Sequence, residues 1–123
     1  MKEDPEIVIQ PNGDRHWLLN GELHREDGPA MELVTGTQKW YLNGKIHREE
    51  GPAAIYSYGG QQWWVHGELH REDGPAIEYS EGEKEWHIHG EQLTEEEFNS
   101  WVLQKRFHAT LSDRSTKSRK MKV

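Results

Sequence analysis

The sequence predicts a mainly β protein: a single-layer, extended antiparallel sheet of about four repeated β-hairpins, closed at the C-terminal end by a capping helix. Three observations predict it. The heptapeptide HREDGPA at His24–Ala30 returns as HREEGPA at His47–Ala53 and as HREDGPA at His70–Ala76, each copy 23 residues after the last. The same spacing relates Trp17, Trp40, Trp63 and Trp86, then Gly13, Gly36, Gly59 and Gly82, then Gly21, Gly44, Gly67 and Gly90. Self-similarity at a fixed period is the signature of a stacked array of identical supersecondary units. Within a unit, apolar and polar residues alternate at period two, which places every second side chain on one face of a strand.

Each element follows from local chemistry. In the unit Ala30–Gly51, Met31 and Leu33 flank Glu32, and Trp40 and Leu42 flank Tyr41, giving two strands. Between them VTGTQK turns the chain, with Gly36 suited to a positive φ. Asn43–Gly44 ends the second strand in a tight turn. KIHREEGP then forms a charged connection, and Pro29, Pro52 and Pro75 open the next strand, where a missing amide donor does least harm. Stacked units set the connections along one edge, and Gly28, Gly51 and Gly74 with the prolines turn the chain there. Leu19, Leu42, Val65 and Ile88 form an aliphatic column, and Leu23, Ile46 and Leu69 another that breaks at Gln92. The tryptophan column is expected to be the buried ladder of the sheet.

The hairpins occupy residues 1–93. The fourth unit keeps Trp86, Ile88 and Gly90, then LTEEEFNSWVLQKRF replaces the heptapeptide. Thr94 and Glu97 form a capping-box pattern, with Glu95 and Glu96 in the first turn. Phe98, Trp101, Val102 and the stem of Lys105 share one helical face. This predicts a helix over about 95–106, in a capping segment 94–107, followed by a basic, flexible tail 108–123. A twelve-residue helix is only ~18 Å long, whereas about eight strands at ~4.8 Å span ~38 Å. The helix therefore leaves part of the apolar stripe open, to be hidden by curvature, a second copy of the chain or another partner.

Composition narrows the function. Of 123 residues 33% are hydrophobic and 30% charged, so the core is thin and leans on six tryptophans. The chain has no cysteine, which excludes disulfides, thiolate metal sites and a catalytic thiol. MKEDPEIVIQ offers no long apolar run, which predicts no secretory signal, and no segment is apolar enough to predict a membrane span. A formal charge of −7 argues against nucleic-acid or anionic-lipid binding by the body of the protein, leaving the basic stretch 114–122 as the one place for a nucleic-acid contact.

The heptapeptide offers a base, a cation and carboxylates, which suffice for acid–base work in principle. Three equal copies two strands apart, ~9.6 Å, do not converge on one pocket, so no catalytic residue is assigned. Metal binding fares no better: His87 and His89 lie i, i+2 on one strand, but His66 and His89 replace Asn20 and Asn43 as turn residues. No metal and no cofactor is expected. The structural reading explains more. Arg25 is expected to reach Glu49 or Glu50 of the next connection, Arg48 to reach Glu72 or Asp73, and the histidines to bond the loop backbone. Recognition is expected instead on the opposite face, where Leu18, Tyr41, Trp64 and His87 vary while staying mostly aromatic or apolar. Tyr41, Trp64 and His87, bordered by Tyr56 and Tyr58, are the candidate contact surface.

The 23-residue period and WYLNGKIH at Trp40–His47 resemble the MORN repeat, a β-hairpin repeat of extended single-layer sheets, over roughly residues 7–93. MORN units have glycine where Arg48 stands, and the variant with WYLNGK and HREDGPA resembles a divergent group found in tailed-phage and giant-virus proteins. The resemblance implies a viral, phage-type binding protein in the host cytoplasm. It would be non-enzymatic and would occlude a host protein as an inhibitor in host takeover or counter-defence. Two alternatives stay open. One is a sponge for a signalling nucleotide, with aromatics stacking the base and Arg25, Arg48 and Arg71 meeting phosphates. The other is a self-assembling structural module, which includes a homodimer through the uncovered apolar face.

Overall fold

The structure, a computed structural model, describes the chain from residue 3 to residue 121, with side chains through residue 111. It is mainly β with one C-terminal helix. The first unit holds β1 (Glu6–Ile9), β2 (Arg15–Leu19) and β3 (Glu22–Leu23). The second holds β4 (Met31–Glu32), β5 (Gln38–Lys39), β6 (Tyr41–Leu42) and β7 (Lys45–Ile46). The third repeats this with β8 (Ala54–Ile55), β9 (Gln61–Gln62), β10 (Trp64–Val65) and β11 (Glu68–Leu69). The fourth has β12 (Ile77–Glu78), β13 (Lys84–Ile88) and β14 (Glu91–Leu93), followed by α1 (Glu95–Met121). The main sheet is antiparallel and runs β1-β2-β4-β5-β8-β9-β12-β13-β14, with β3 paired to β2.

Each unit contains a second hairpin inside what the sequence presents as connection. β5 and β6 are two halves of one strand interrupted at Trp40. The Trp40 N–H donates to Ala53 O at 2.7 Å, and its carbonyl accepts from His47 N–H at 3.0 Å. The first half joins the main sheet; the second pairs back on β7 through Tyr41↔Ile46. The charged connection therefore begins only after Lys45–Ile46, and the same holds after Glu68–Leu69. Two residues are too short a run to show an alternation, which is why the strand was hidden in the sequence. The turn between β6 and β7, with its counterparts in the other units, has Asn20, Asn43, His66 and His89 at φ near 50° (53, 50, 50 and 49), each followed by glycine at about 80°. Two successive positive φ values define the turn that matches strand twist, and the reading of His66 and His89 as turn residues holds. The second hairpins are themselves bonded along the array: Gly44 N–H to Leu23 O, Gly67 to Ile46 O and Gly90 to Leu69 O, each at 2.8 Å.

The core is thinner than a tryptophan ladder. Ala30, Ala53, Ala54 and Ala76 are completely buried, with Ile77, Ile88 and Phe98 nearly so. Trp17 is buried, but Trp40, Trp63 and Trp86 are half-buried. Trp17, Trp40 and Trp63 are covered by their own connection, as described below.

At the C-terminal end the capping box forms in both directions: Thr94 N–H donates to Glu97 Oε1 at 2.8 Å and Glu97 N–H to Thr94 Oγ1 at 3.1 Å. The helix does not stop near Arg106. It runs on to Met121, so most of the expected flexible tail is the second half of α1. No glycine or proline occurs after Phe98 to end it. The basic residues of 114–122 lie beyond the described side chains. Among the described residues no helix is long and apolar enough to cross a membrane.

Candidate functional site

Every position of the heptapeptide has a mechanical task. The histidine joins repeats. His24 is 8%, His47 7% and His70 8% exposed, and each Nδ1 accepts a backbone N–H from the turn of the following unit. The donors are Asn43 at 2.9 Å, His66 at 2.8 Å and His89 at 2.9 Å. A neutral ring that accepts on Nδ1 carries its proton on Nε2. That Nε2–H faces the glutamate two residues on: Glu26 at 3.8 Å, Glu49 at 3.6 Å and Glu72 at 2.9 Å. Burial pushes the His47 pKa down, and the neighbouring His66 adds to this while Glu49 opposes it.

The arginine covers the tryptophan of its own unit. Its guanidinium carbon lies over the indole at 4.1 Å for Arg25 on Trp17, 3.9 Å for Arg48 on Trp40 and 3.7 Å for Arg71 on Trp63. One N–H reaches the proline carbonyl four residues on: Pro29 at 3.1 Å, Pro52 at 3.1 Å and Pro75 at 3.0 Å. Arg25 and Arg71 also bind Asp27 and Asp73 through Nε at 3.0 and 2.9 Å, and reach Glu32 and Glu78 at 3.4 and 3.5 Å. These partners are the arginine's own connection and the strand it opens, so the expected ladder to Glu49, Glu50, Glu72 and Asp73 of the next connection does not form. A side chain folded flat on an indole points back over its own strand and cannot also reach along the edge. The glycine makes room for it: a Cβ on Gly28 would sit 2.8 Å from Arg25 Cζ, and one on Gly74 2.9 Å from Arg71 Cζ. The alanine carbonyl accepts the tryptophan N–H at 2.8 Å for Ala30 and Trp17, and 2.7 Å for Ala76 and Trp63. Where the heptapeptide ends, Leu93 replaces the histidine and Thr94 the arginine, at the start of α1.

On the other face the structure brings together Tyr41, Tyr56, Tyr58 and Trp64. The rings of Tyr56 and Tyr58 stack at 5.2 Å. Gln62 Oε1 accepts from Trp64 Nε1 at 2.9 Å and Tyr56 OH at 3.4 Å. Lys39 Nζ lies 5.5 Å from the Tyr56 ring centre. Burial raises the Tyr41 pKa; burial, then Tyr58 and Tyr41, raise that of Tyr56, so both hydroxyls stay protonated. Tyr58 is 69% exposed. Lys39 and Gln62 were missed in the sequence. They sit two residues before Tyr41 and Trp64, and the period of two that selected the aromatics also selects them. His87 does not belong to this surface. It is buried, its Nε2 faces Glu85 Oε1 at 3.1 Å, and Tyr79 OH donates to the same carboxylate at 2.6 Å.

One group has metal-ligating residue types. Ligand atoms of His47, Glu49 and His66 lie within 4.8 Å of one another, and the two imidazole centres are 4.4 Å apart. The donor set does not suit an ion. His47 Nδ1 is committed to the His66 amide, so Nε2 presents a proton rather than a lone pair. Coordination there would expel that proton and break the joint. The equivalent His70, His89 and Glu72 group is further occupied by Lys105, which pairs with Glu72. That pair and then His70 hold the Glu72 carboxyl below its usual range. No family model, curated protein or solved structure matches the chain.

Proposed function

We propose that the chain is a non-enzymatic binding protein whose aromatic face covers part of a protein partner, which the resemblance to divergent MORN-like viral repeats makes a host protein. The observation behind this reading is the cluster of Tyr41, Tyr56, Tyr58 and Trp64, in which Gln62 ties Tyr56 to Trp64 and Tyr58 stacks on Tyr56. Large, rigid, amphipathic rings with donors in place are the residues that dominate protein interfaces. The heptapeptide is committed elsewhere: its histidines join successive repeats, and its arginines and aspartates pair within one connection.

The nucleotide-sponge reading draws on a cleft of about 650 Å³ between two successive connections, floored by Trp40 and flanked by Arg25 and Arg48. It ranks second because the same cleft is lined by Glu26, Asp27, Glu49 and Glu50, which repel phosphates. Capture of a partner from host lysate tests the first reading. Tyr58→Ala with Trp64→Ala abolishes capture and Glu49→Gln leaves it intact; unchanged capture by the aromatic variant overturns the assignment. A mass shift with added nucleotide in native mass spectrometry would favour the sponge instead.

A further inference from the structure

The charged connections leave a row of clefts between them. The first lies between Asp4 and Glu26, with Trp17 at its floor. The second, about 650 Å³, lies between Asp27 and Glu50 over Trp40, and the third, about 570 Å³, between Glu50 and Asp73 over Trp63. Glu3 and Asp4 stand 23 residues before Glu26 and Asp27, so the same acidic wall recurs at each cleft. In the second, Glu26, Asp27, Glu49 and Glu50 face only Arg25 and Arg48, an excess of two negative charges. Both guanidiniums are already turned down, Arg25 onto Trp17 and Asp27, Arg48 onto Trp40.

What such a wall accepts is seen at the end of the row. The place beyond Glu72 is taken by α1, and Lys105 of that helix sets its ammonium on the Glu72 carboxylate. The other Glu72 oxygen faces His70 Nε2 at 2.9 Å. Glu49 and Glu26 hold the same position one and two repeats earlier and face their histidines in the same way. The Glu49 side chain is 73% exposed, against 43% for Glu72 beneath Lys105. We propose that this row of clefts is a docking groove for an extended, lysine-bearing segment of a partner protein, each ammonium meeting a joint glutamate as Lys105 meets Glu72. Equivalent positions are two strands apart, ~9.6 Å. A polyproline II segment advances ~9.3 Å in three residues and returns its side chain to the same face, so lysines at every third position meet successive clefts. A β-strand repeats one face at ~6.7 Å, out of step with the row, and an α-helix drifts by about 1 Å at each cleft. Lysine suits the site better than arginine, because the indole face on which a guanidinium would stack is already covered. The groove shares no residue with the aromatic face.

Titration of the full chain with the peptide Lys-Pro-Pro-Lys-Pro-Pro-Lys-Pro-Pro, followed by calorimetry, tests the proposal. One peptide per chain is expected, with an affinity that falls as salt is raised. An isomer with its three lysines adjacent is expected to bind about tenfold more weakly, and so is the periodic peptide when Glu26→Gln and Glu49→Gln are combined. Glutamine keeps an oxygen toward each histidine Nε2–H, so the joints and the thermal midpoint are retained in that variant. Tyr58→Ala with Trp64→Ala binds the peptide as the wild type does. No binding, equal affinity for the two isomers, unchanged affinity in the glutamine variant or loss of binding in the aromatic variant overturns the proposal. So does a doubling of mass with concentration that the glutamine variant abolishes, since that would seat the basic end of a second copy in the row.

Discussion

His47 Nδ1 accepts the backbone N–H of His66 at 2.8 Å, across the boundary between two repeats. The residue that donates is a left-handed turn position, and the residue that accepts is the first of a conserved-looking charged heptapeptide within the same chain. The relation recurs at His24 with Asn43 and at His70 with His89, which identifies the heptapeptide as the joint of the array. Truncation at the joint is expected to be costly. His47→Ala removes the acceptor and a buried ring, and lowers stability by about 1–3 kcal/mol, measured by urea denaturation. A change within error of wild type counts against the joint.

The joint also sets a pH dependence. Burial, reinforced by His66, lowers the His47 pKa from its ordinary 6.5. The unfolded chain therefore binds more protons at this site than the folded one. Its contribution is complete above about 6.5 and is lost as pH falls through the lower folded-state value. Glu72, held below 4.5 by Lys105 and His70, gives a second loss at more acid pH, with the same sign. The urea midpoint should fall between pH 7.5 and 5, and less steeply in His47→Gln. A midpoint that rises on acidification contradicts the assignment.

Arg71 and Gly74 are expected to be coupled. A Cβ at position 74 meets the Arg71 guanidinium at 2.9 Å and pushes it off Trp63. Gly74→Ala should cost about 1 kcal/mol or more in the wild type, comparable to an exposed cation–π contact. In an Arg71→Ala background the same change should be neutral or slightly stabilising, because alanine restricts the unfolded chain. Additive effects in this double-mutant cycle would place the guanidinium elsewhere.

Most of the architecture was legible in the sequence because it repeats. The period gave the antiparallel array, Gly36 and Asn43 gave both turns, and Thr94 with Glu97 gave the helix start. What stayed hidden is interaction at a distance. That Arg48 lies flat on Trp40 rather than reaching Glu72 depends on where the chain returns, and no local pattern encodes it. The strand Lys45–Ile46 was too short to show a period. Strand alternation sets His87 in line with Tyr41 and Trp64, but its environment is set by Glu85 and Tyr79. The helix end is not legible because no glycine or proline marks it. The aromatic face was legible as Tyr41, Trp64, Tyr56 and Tyr58, but not its polar members Lys39 and Gln62.

The helix cap is expected to matter for the last repeat alone. Thr94→Ala removes the oxygen that accepts Glu97 N–H and should lower stability by about 1 kcal/mol. Its effect should be largest in α1 and in β13 and β14, the strands on which the helix packs, in hydrogen-exchange maps.

Amide hydrogen exchange at Asn43, His66 and His89 tests most directly whether the heptapeptide joins the repeats. These amides sit in exposed turns, yet each donates to a buried histidine of the preceding unit. Exchange much slower than in a free turn is expected at all three, with His47→Ala releasing His66 while His89 stays protected. Free-turn exchange at all three positions in the wild-type protein would contradict the account.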